Sequence, residues 1–262
     1  MPVKHLFAFD VDQTLLPAGQ MEIPPKEVEA INKKLKEGHA VAIASGRPAE
    51  AVWRYLDSFD RGEKYAIAYN GALVYSPSHE LIGHRLLDLE DLYYVKRLFP
   101  EECYDVYAYL EDGRIACFKP GKYVGLEVKL NLLPSPIIVP SKMPDDAPSI
   151  RVAKVMIGAD EDVSSSIVFP DNARYQVTRS SPVFFEILAN GVDKSFGVSI
   201  AKEHAHADVA YCFGDELNDL GMIKDNYGIA MGNAVEEVKK AAKLITKPCI
   251  EDGVAYALEN ID

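Results

Sequence analysis

HLFAFDVDQTL, residues 5–15, decides the fold. Its first half, HLFAF (5–9), is a short apolar run with no polar alternation, the pattern of a strand buried on both faces. Its second half turns polar at once. Asp10 and Asp12 leave the strand at i and i+2, so both carboxylates sit at its carboxyl end. Working outward, residues 25–37 predict a helix: Pro25 suits a first turn, Val28, Ile31 and Leu35 recur at spacings of three and four, and Gly38 suits the end. AVAIA (40–44) is a second apolar strand, stopping at Ser45-Gly46-Arg47-Pro48, and a helix over about 48–59 follows. YAIAY (65–69) is a third strand, ending at Asn70-Gly71. Apolar strands alternating with helices predict a parallel sheet covered on both faces, with ligand groups at the strands' carboxyl ends.

The pattern changes after about residue 80. A helix over 89–99 precedes DVYAYLE (105–111) and RIACFK (114–119), joined by Asp112-Gly113, a hairpin signal. Helical 121–132, a proline-rich stretch (134–148), strand 152–157, helix 160–169 and strands 173–178 and 183–188 complete an α-β-β-α-β-α-β-β order. The first pattern resumes near residue 191, with helix 194–205, strand VAYCF (209–213), a helix near 217–224, strand 227–231, helix 234–242, a short strand at 244–246 and a terminal helix from about Asp252. The expected fold class is α/β: a Rossmann-like parallel sheet with helices on both faces, in segments 1–80 and 191–262, and an α+β domain inserted at 81–190.

Composition narrows the function. The chain has 262 residues, 48% hydrophobic and 26% charged, an ordinary globular mix rather than a disordered one. Forty acids against 28 bases give a net charge of −12, which argues against nucleic acid or an anionic membrane surface as partner. No stretch is long and apolar enough to span a bilayer, and no signal-type run opens the chain, so a cytoplasmic location is expected. The four cysteines, Cys103, Cys117, Cys212 and Cys249, form no paired-cysteine motif and suit a reduced compartment. The sequence sets no oligomeric state, and a monomer is compatible with it.

Four short segments carry chemistry. In Asp10-Val11-Asp12-Gln13-Thr14 one carboxylate can attack and the other can handle protons, which splits a hard displacement into two steps. The plain structural alternative is a polar strand-to-loop turn. Gly214-Asp215-Glu216-Leu217-Asn218-Asp219 again sets acids after a buried strand. Acids gathered at two strand ends call for a cation, and with no His or Cys among them magnesium fits better than zinc. The alternative is acids complementing a helix start. Ser45-Gly46-Arg47 opens a helix and suits an anion, or is simply a serine cap. Lys194 offers a fixed ammonium for phosphoryl oxygens, and gains meaning only beside the other three. His204 and His206 read as surface histidines, and the tyrosines of 93–109 as core and strand residues.

Together these segments resemble the haloacid dehalogenase superfamily phosphatases, in the Cof-type, class IIB branch. FDVDQTL (9–15) is similar to the family's DxDxT motif, ASGR (44–47) to its second motif, Lys194 to its third-motif lysine and GDELND (214–219) to its fourth. Asn70-Gly71-Ala72, Met231-Gly232-Asn233-Ala234 and Glu251-Asp252-Gly253-Val254 also resemble recurrent family segments, and the inserted block is similar to a type IIB cap. The resemblance implies a magnesium-dependent phosphatase acting on small phosphorylated metabolites, sugar phosphates first, through an aspartyl phosphate. Asp10 is then the nucleophile and Asp12 the acid and base. The Asp10 side chain, the Asp12 carbonyl and the Asp215 side chain hold the metal. Val11, Ser45, Gly46, Lys194 and Asn218 surround the phosphoryl group, with Thr14 fixing the loop, Arg47 on the substrate side and Asp219 orienting Lys194 or a metal-bound water. Gln13 departs from the family's usual glycine. Arg151, Lys154 and Glu186, near strand ends of the insertion, are weaker candidates for substrate selection. A phosphomutase and a non-catalytic phospho-acceptor are the competing readings.

Overall fold

The structure is a computed structural model that describes residues 3–99, 102–143, 150–164, 167–170 and 173–261. The chain begins with β1 (His5–Phe9), α1 (Pro25–Lys36), β2 (Ala40–Ala44), α2 (Ala49–Leu56) and β3 (Lys64–Ala68), then a hairpin of β4 (Leu73–Tyr75) and β5 (Leu81–His84). Next come β6 (Leu87–Asp88), α3 (Leu89–Leu98), β7 (Asp105–Leu110), β8 (Ile115–Cys117), α4 (Lys122–Asn131) and β9 (Ile137–Ile138). β10 (Arg151–Gly158), α5 (Glu161–Ser164), β11 (Tyr175–Ser181) and β12 (Phe184–Ala189) follow. The last stretch holds α6 (Lys194–His204), β13 (Val209–Gly214), α7 (Leu220–Asp225), β14 (Tyr227–Ala230), α8 (Glu236–Ala241), β15 (Leu244–Ile245) and α9 (Gly253–Glu259).

The chain divides into two compact units. One holds the chain up to His84 and again from Asp193, and the other holds Arg85–Val192. In the first, an eight-stranded sheet runs β15-β14-β13-β1-β2-β3-β4-β5. The six strands from β15 to β3 are parallel. β4 and β5 are antiparallel additions at the edge, so the sheet is mixed rather than wholly parallel. Leu81–His84, read from the sequence as the start of the insertion, pairs with β4 in this sheet. β1, β2 and the apolar part of β13 are apolar because both faces are covered: Leu6, Phe9, Val41, Ile43, Cys212 and Phe213 have no exposed surface. β1 lies between β13 and β2, with Phe9 opposite Phe213 on one side and Ile43 on the other. The strand order reverses at β1, so the loops after β1, β2 and β13 meet at one edge, the usual place for a ligand.

The second unit has a seven-stranded sheet, β11-β12-β10-β7-β8-β9, with β6 beside β10. It is antiparallel except where β8 meets β9. Its packing includes the aromatic contacts Tyr93–Phe118, Phe99–Phe169 and Phe169–Phe185, in which Tyr93 and Phe99 are buried and the others half-buried. Lys154 and Glu186 sit within β10 and β12 rather than at strand ends, buried and paired at 3.1 Å. Arg151 pairs with Glu111 at 3.3 Å. The helix expected over 160–169 is a single turn, Glu161–Ser164, with residues 165 and 166 outside the described residues. Among the described residues no helix is long and apolar enough to cross a membrane.

Candidate active site

The site starts from the β1 ladder. The Asp10 N–H donates to the Phe213 carbonyl at 3.0 Å, so sheet pairing continues onto the first acid and fixes its height. The chain then turns tightly, with the N–H groups of Leu15 and Leu16 donating to the Val11 carbonyl at 2.9 and 2.8 Å. Gln13 takes a left-handed backbone, φ 61°, the conformation a glycine adopts at least cost.

The two carboxylates of this loop diverge. Asp10 is buried, and its Oδ1 accepts from Lys194 Nζ at 2.6 Å. Asp12 is more than half exposed and takes a two-pronged bond from Arg47, Nε to Oδ2 at 2.9 Å and an Nη to Oδ1 at 2.7 Å. Such forked pairing orients both groups. Thr14 is wholly buried and donates its hydroxyl to Asp215 Oδ1 at 3.0 Å. It holds that carboxylate.

β13 delivers the opposing acids. Gly214 precedes Asp215 because a Cβ there would lie 2.5 Å from the Asp219 side chain. Asp219 has no exposed surface. Its Oδ2 accepts from the N–H groups of Asp215 (2.8 Å) and Glu216 (3.0 Å), and its Oδ1 from Lys194 Nζ (2.6 Å). Both of its oxygens are thus committed. Lys194 opens α6, whose start is capped by Asp193 accepting from the Phe196 N–H at 2.8 Å. The lysine is fully buried and clamped between two carboxylates. Burial works against its charge, but Asp10 and Asp219 outweigh it and raise its pKa. Burial pushes the Asp10 carboxyl up, with Lys194 pulling the other way. Burial, then Asp219, pushes Asp215 up to about 7.

Asp10, Asp215 and Asp219 offer carboxylate oxygens all within 4.8 Å of one another. Asp219 accepts from Lys194 and two backbone N–H groups, while Asp215 accepts only from the neutral Thr14 and Asn233 side chains and Asp10 only through Oδ1 among the described bonds, so Asp10 and Asp215 are the more open to a cation. An all-oxygen set suits magnesium, and the crowding of buried carboxylates around one lysine is what a divalent ion would relieve. His204 bonds Tyr65 at 2.9 Å and belongs to no such cluster among the described residues.

On the β2 side, Ser45 is buried, and its Oγ accepts from the Arg47 N–H at 3.2 Å. A Cβ on Gly46 would touch the Asn70 amide at 3.3 Å. Asn218 Nδ2 donates to Asn70 Oδ1 at 3.2 Å. The structure thus brings Asp10, Asp215, Asp219 and Lys194 together, with Asp12 and Arg47 paired beside them and Asn218 tied to Asn70. Asn70 and Asn233 were given no role from sequence. Asn233 Nδ2 donates to the Gln13 carbonyl at 3.0 Å and Asp215 Oδ2 at 3.4 Å, while its Oδ1 accepts from the Cys249 N–H at 2.8 Å. The signals for both were an amide beside glycine directly after a strand and membership in segments that resemble recurrent family ones.

Comparison with known proteins agrees with this geometry. The family model of haloacid dehalogenase-like hydrolases matches residues 7–258. The chain is 31% identical to the protein YxeH of Bacillus subtilis (strain 168), covering 98% of this chain and 97% of YxeH. It is 27% identical to the 5-amino-6-(5-phospho-D-ribitylamino)uracil phosphatase YitU of the same organism, over 97% of this chain and 96% of YitU. Its fold is similar to that of the HAD subclass IIB sugar phosphatase BT4131, with a TM-score of 0.80 at 25% identity over 98% of both chains. Fold, site and relatives together define a phosphatase. The chain belongs to the haloacid dehalogenase-like hydrolases, in their Cof-type, subclass IIB branch.

Proposed function

We propose that the protein hydrolyses phosphate monoesters of sugars or sugar-like polyols through an aspartyl phosphate on Asp10, with magnesium as cofactor. The observation that carries this reading is the convergence of Asp10, Asp215 and Lys194 at the carboxyl ends of β1 and β13, buried and within bonding distance of shared partners. Asp10 Oδ1 is held by Lys194, which leaves Oδ2 to attack phosphorus in line with the departing oxygen. Asp12 gives its proton to the leaving alkoxide, then takes one from the water that cleaves the acyl phosphate. For that, Arg47 must release Asp12 from the forked pair, and the substrate's own phosphate is the competing anion. Lys194, the Ser45 hydroxyl, the backbone N–H groups near Val11 and Gly46, and Asn218 bind the phosphoryl oxygens. Magnesium, when bound by Asp10, the Asp12 carbonyl and Asp215, lets a carboxylate and a phosphate dianion approach each other.

The substrate class rests on the relatives: one solved neighbour is a sugar phosphatase, and a curated relative acts on a phosphorylated ribityl chain. The test is phosphate release from hexose, pentose and polyol phosphates, nucleotides and an aryl phosphate, with magnesium or with chelator. Turnover that needs magnesium and disappears in Asp10→Asn is the expected result. A folded wild type that accumulates aspartyl phosphate without releasing it would favour the phospho-acceptor reading. Turnover only with a bisphosphate activator would favour a mutase.

A further inference from the structure

The segment after β3 is unusual. Tyr69, Asn70 and Gly71 are three consecutive residues with positive φ, at 51°, 57° and 101°. Two of them are not glycine, and a left-handed backbone is costly there. Asn70 is itself buried, although it lies in a loop. A left-handed run of this kind persists only where its surroundings hold it, and here the holding groups belong to the site. The Tyr69 N–H donates to the Arg47 carbonyl at 3.1 Å, and the Asn70 N–H to the Ser45 carbonyl at 2.9 Å. Gly71 packs so closely on α6 that a Cβ would lie 2.1 Å from the Asp193 carbonyl, one residue before Lys194. The Asn70 amide lies against Gly46 and accepts from Asn218.

We propose that Asn70 is a positioning residue that sets the Asn218 amide and the Ser45–Arg47 loop at the spacing one phosphoryl group requires. Asn218 stands on the loop after β13, and Ser45–Arg47 on the loop after β2, with β1 between them. No strand pairing joins those two loops directly, and the Asn70 side chain spans the gap. Only the Nδ2 end of an amide donates, so the bond to Asn70 Oδ1 fixes which way the Asn218 amide faces. One Nδ2 hydrogen is used on Asn70, and the second is left for an anion. The inference rests on the phosphatase reading of the site.

Asn70→Gly removes the amide and keeps the left-handed backbone without strain. The expected result is a fall in kcat/KM on an aryl phosphate of about 10-fold or more, the size typical of losing an orienting partner, with an equal weakening of vanadate inhibition and with the protein still folded at the assay temperature. In an Asn218→Ala background the same change costs less than it does in the wild type, because part of its effect runs through Asn218. Full activity in Asn70→Gly overturns the proposal. So do losses that multiply in the double variant. Stabilisation by inorganic phosphate, read as a Tm shift, tests the same point without turnover. An inactive wild type that phosphate still stabilises sinks the hydrolysis reading alone, whereas a wild type that phosphate does not stabilise sinks both.

Discussion

Gln13 shows what one residue can be made to do by its neighbours. Its φ of 61° costs a non-glycine residue roughly 1–2 kcal/mol. Four bonds hold it there: its N–H to the Leu16 carbonyl, its carbonyl from Asn233, and the N–H groups of Leu15 and Leu16 to the Val11 carbonyl. Gln13→Gly should therefore raise stability, but by no more than about 1 kcal/mol, because glycine also loosens the unfolded chain. Urea unfolding at fixed pH measures it, and a loss of stability would mean the glutamine side chain makes a contact worth more than the strain. The acids beside it were legible because a charged residue ending a wholly apolar strand has few structural uses. The amides were not: an asparagine next to glycine after a strand is also the ordinary composition of a turn. Thr14 was read as fixing its loop, but its target, the Asp215 carboxylate 201 positions away, is set by the sheet order and not by local sequence.

At the scale of elements, β1, β2, β3 and β13 were readable because burial on both faces keeps charged side chains out of their interiors, leaving only His5 and Lys64 at the half-buried starts of β1 and β3. The hairpin β4–β5 was missed for the converse reason. Its strands are three and four residues long, and β5 is half exposed, so no apolar run marks it. β6 and β9, two residues each, fall below any periodic signal. The opposite ends of the strands carry a pH dependence unrelated to the site. His39, just before β2, stacks near His5 at 5.1 Å between ring centres, and its Nδ1 accepts from the His5 N–H at 3.2 Å. Burial first, then His5 and Lys34, lower its pKa from 6.5. The folded state thus prefers the neutral ring, and the unfolded chain binds the proton more readily. Stability from this residue is in place above about pH 6.5 and declines as pH falls through that value toward the lowered one. His39→Asn should make the urea midpoint rise less, or fall more, between about pH 5 and 7 than it does in the wild type, in which the raised carboxyls of Asp10 and Asp215 act in the opposite direction. Equal slopes in variant and wild type would refute the assignment.

At the scale of the molecule, the buried carboxylates at the edge of the main sheet are the part most sensitive to what is bound. A ligand that binds only the folded chain raises its stability, by about 2.7 kcal/mol at a hundredfold excess over Kd. Magnesium is expected to raise Tm in the wild type and to leave Asp215→Asn unmoved, and a wild-type Tm indifferent to magnesium would remove the metal from the proposed chemistry. The left-handed turn at Asn70-Gly71 bears on how long each molecule lasts. In a relaxed chain an asparagine followed by glycine ages: the glycine nitrogen attacks the side-chain carbonyl carbon, ammonia leaves, and water opens the ring to aspartate or isoaspartate. With Asn70 at φ 57° and ψ 29°, its N–H tied to Ser45 and Gly71 pressed on the Asp193 carbonyl, that attack is held off. Openings of this turn, local or global, are what expose the pair, so the stability of the turn sets the chemical clock of this amide.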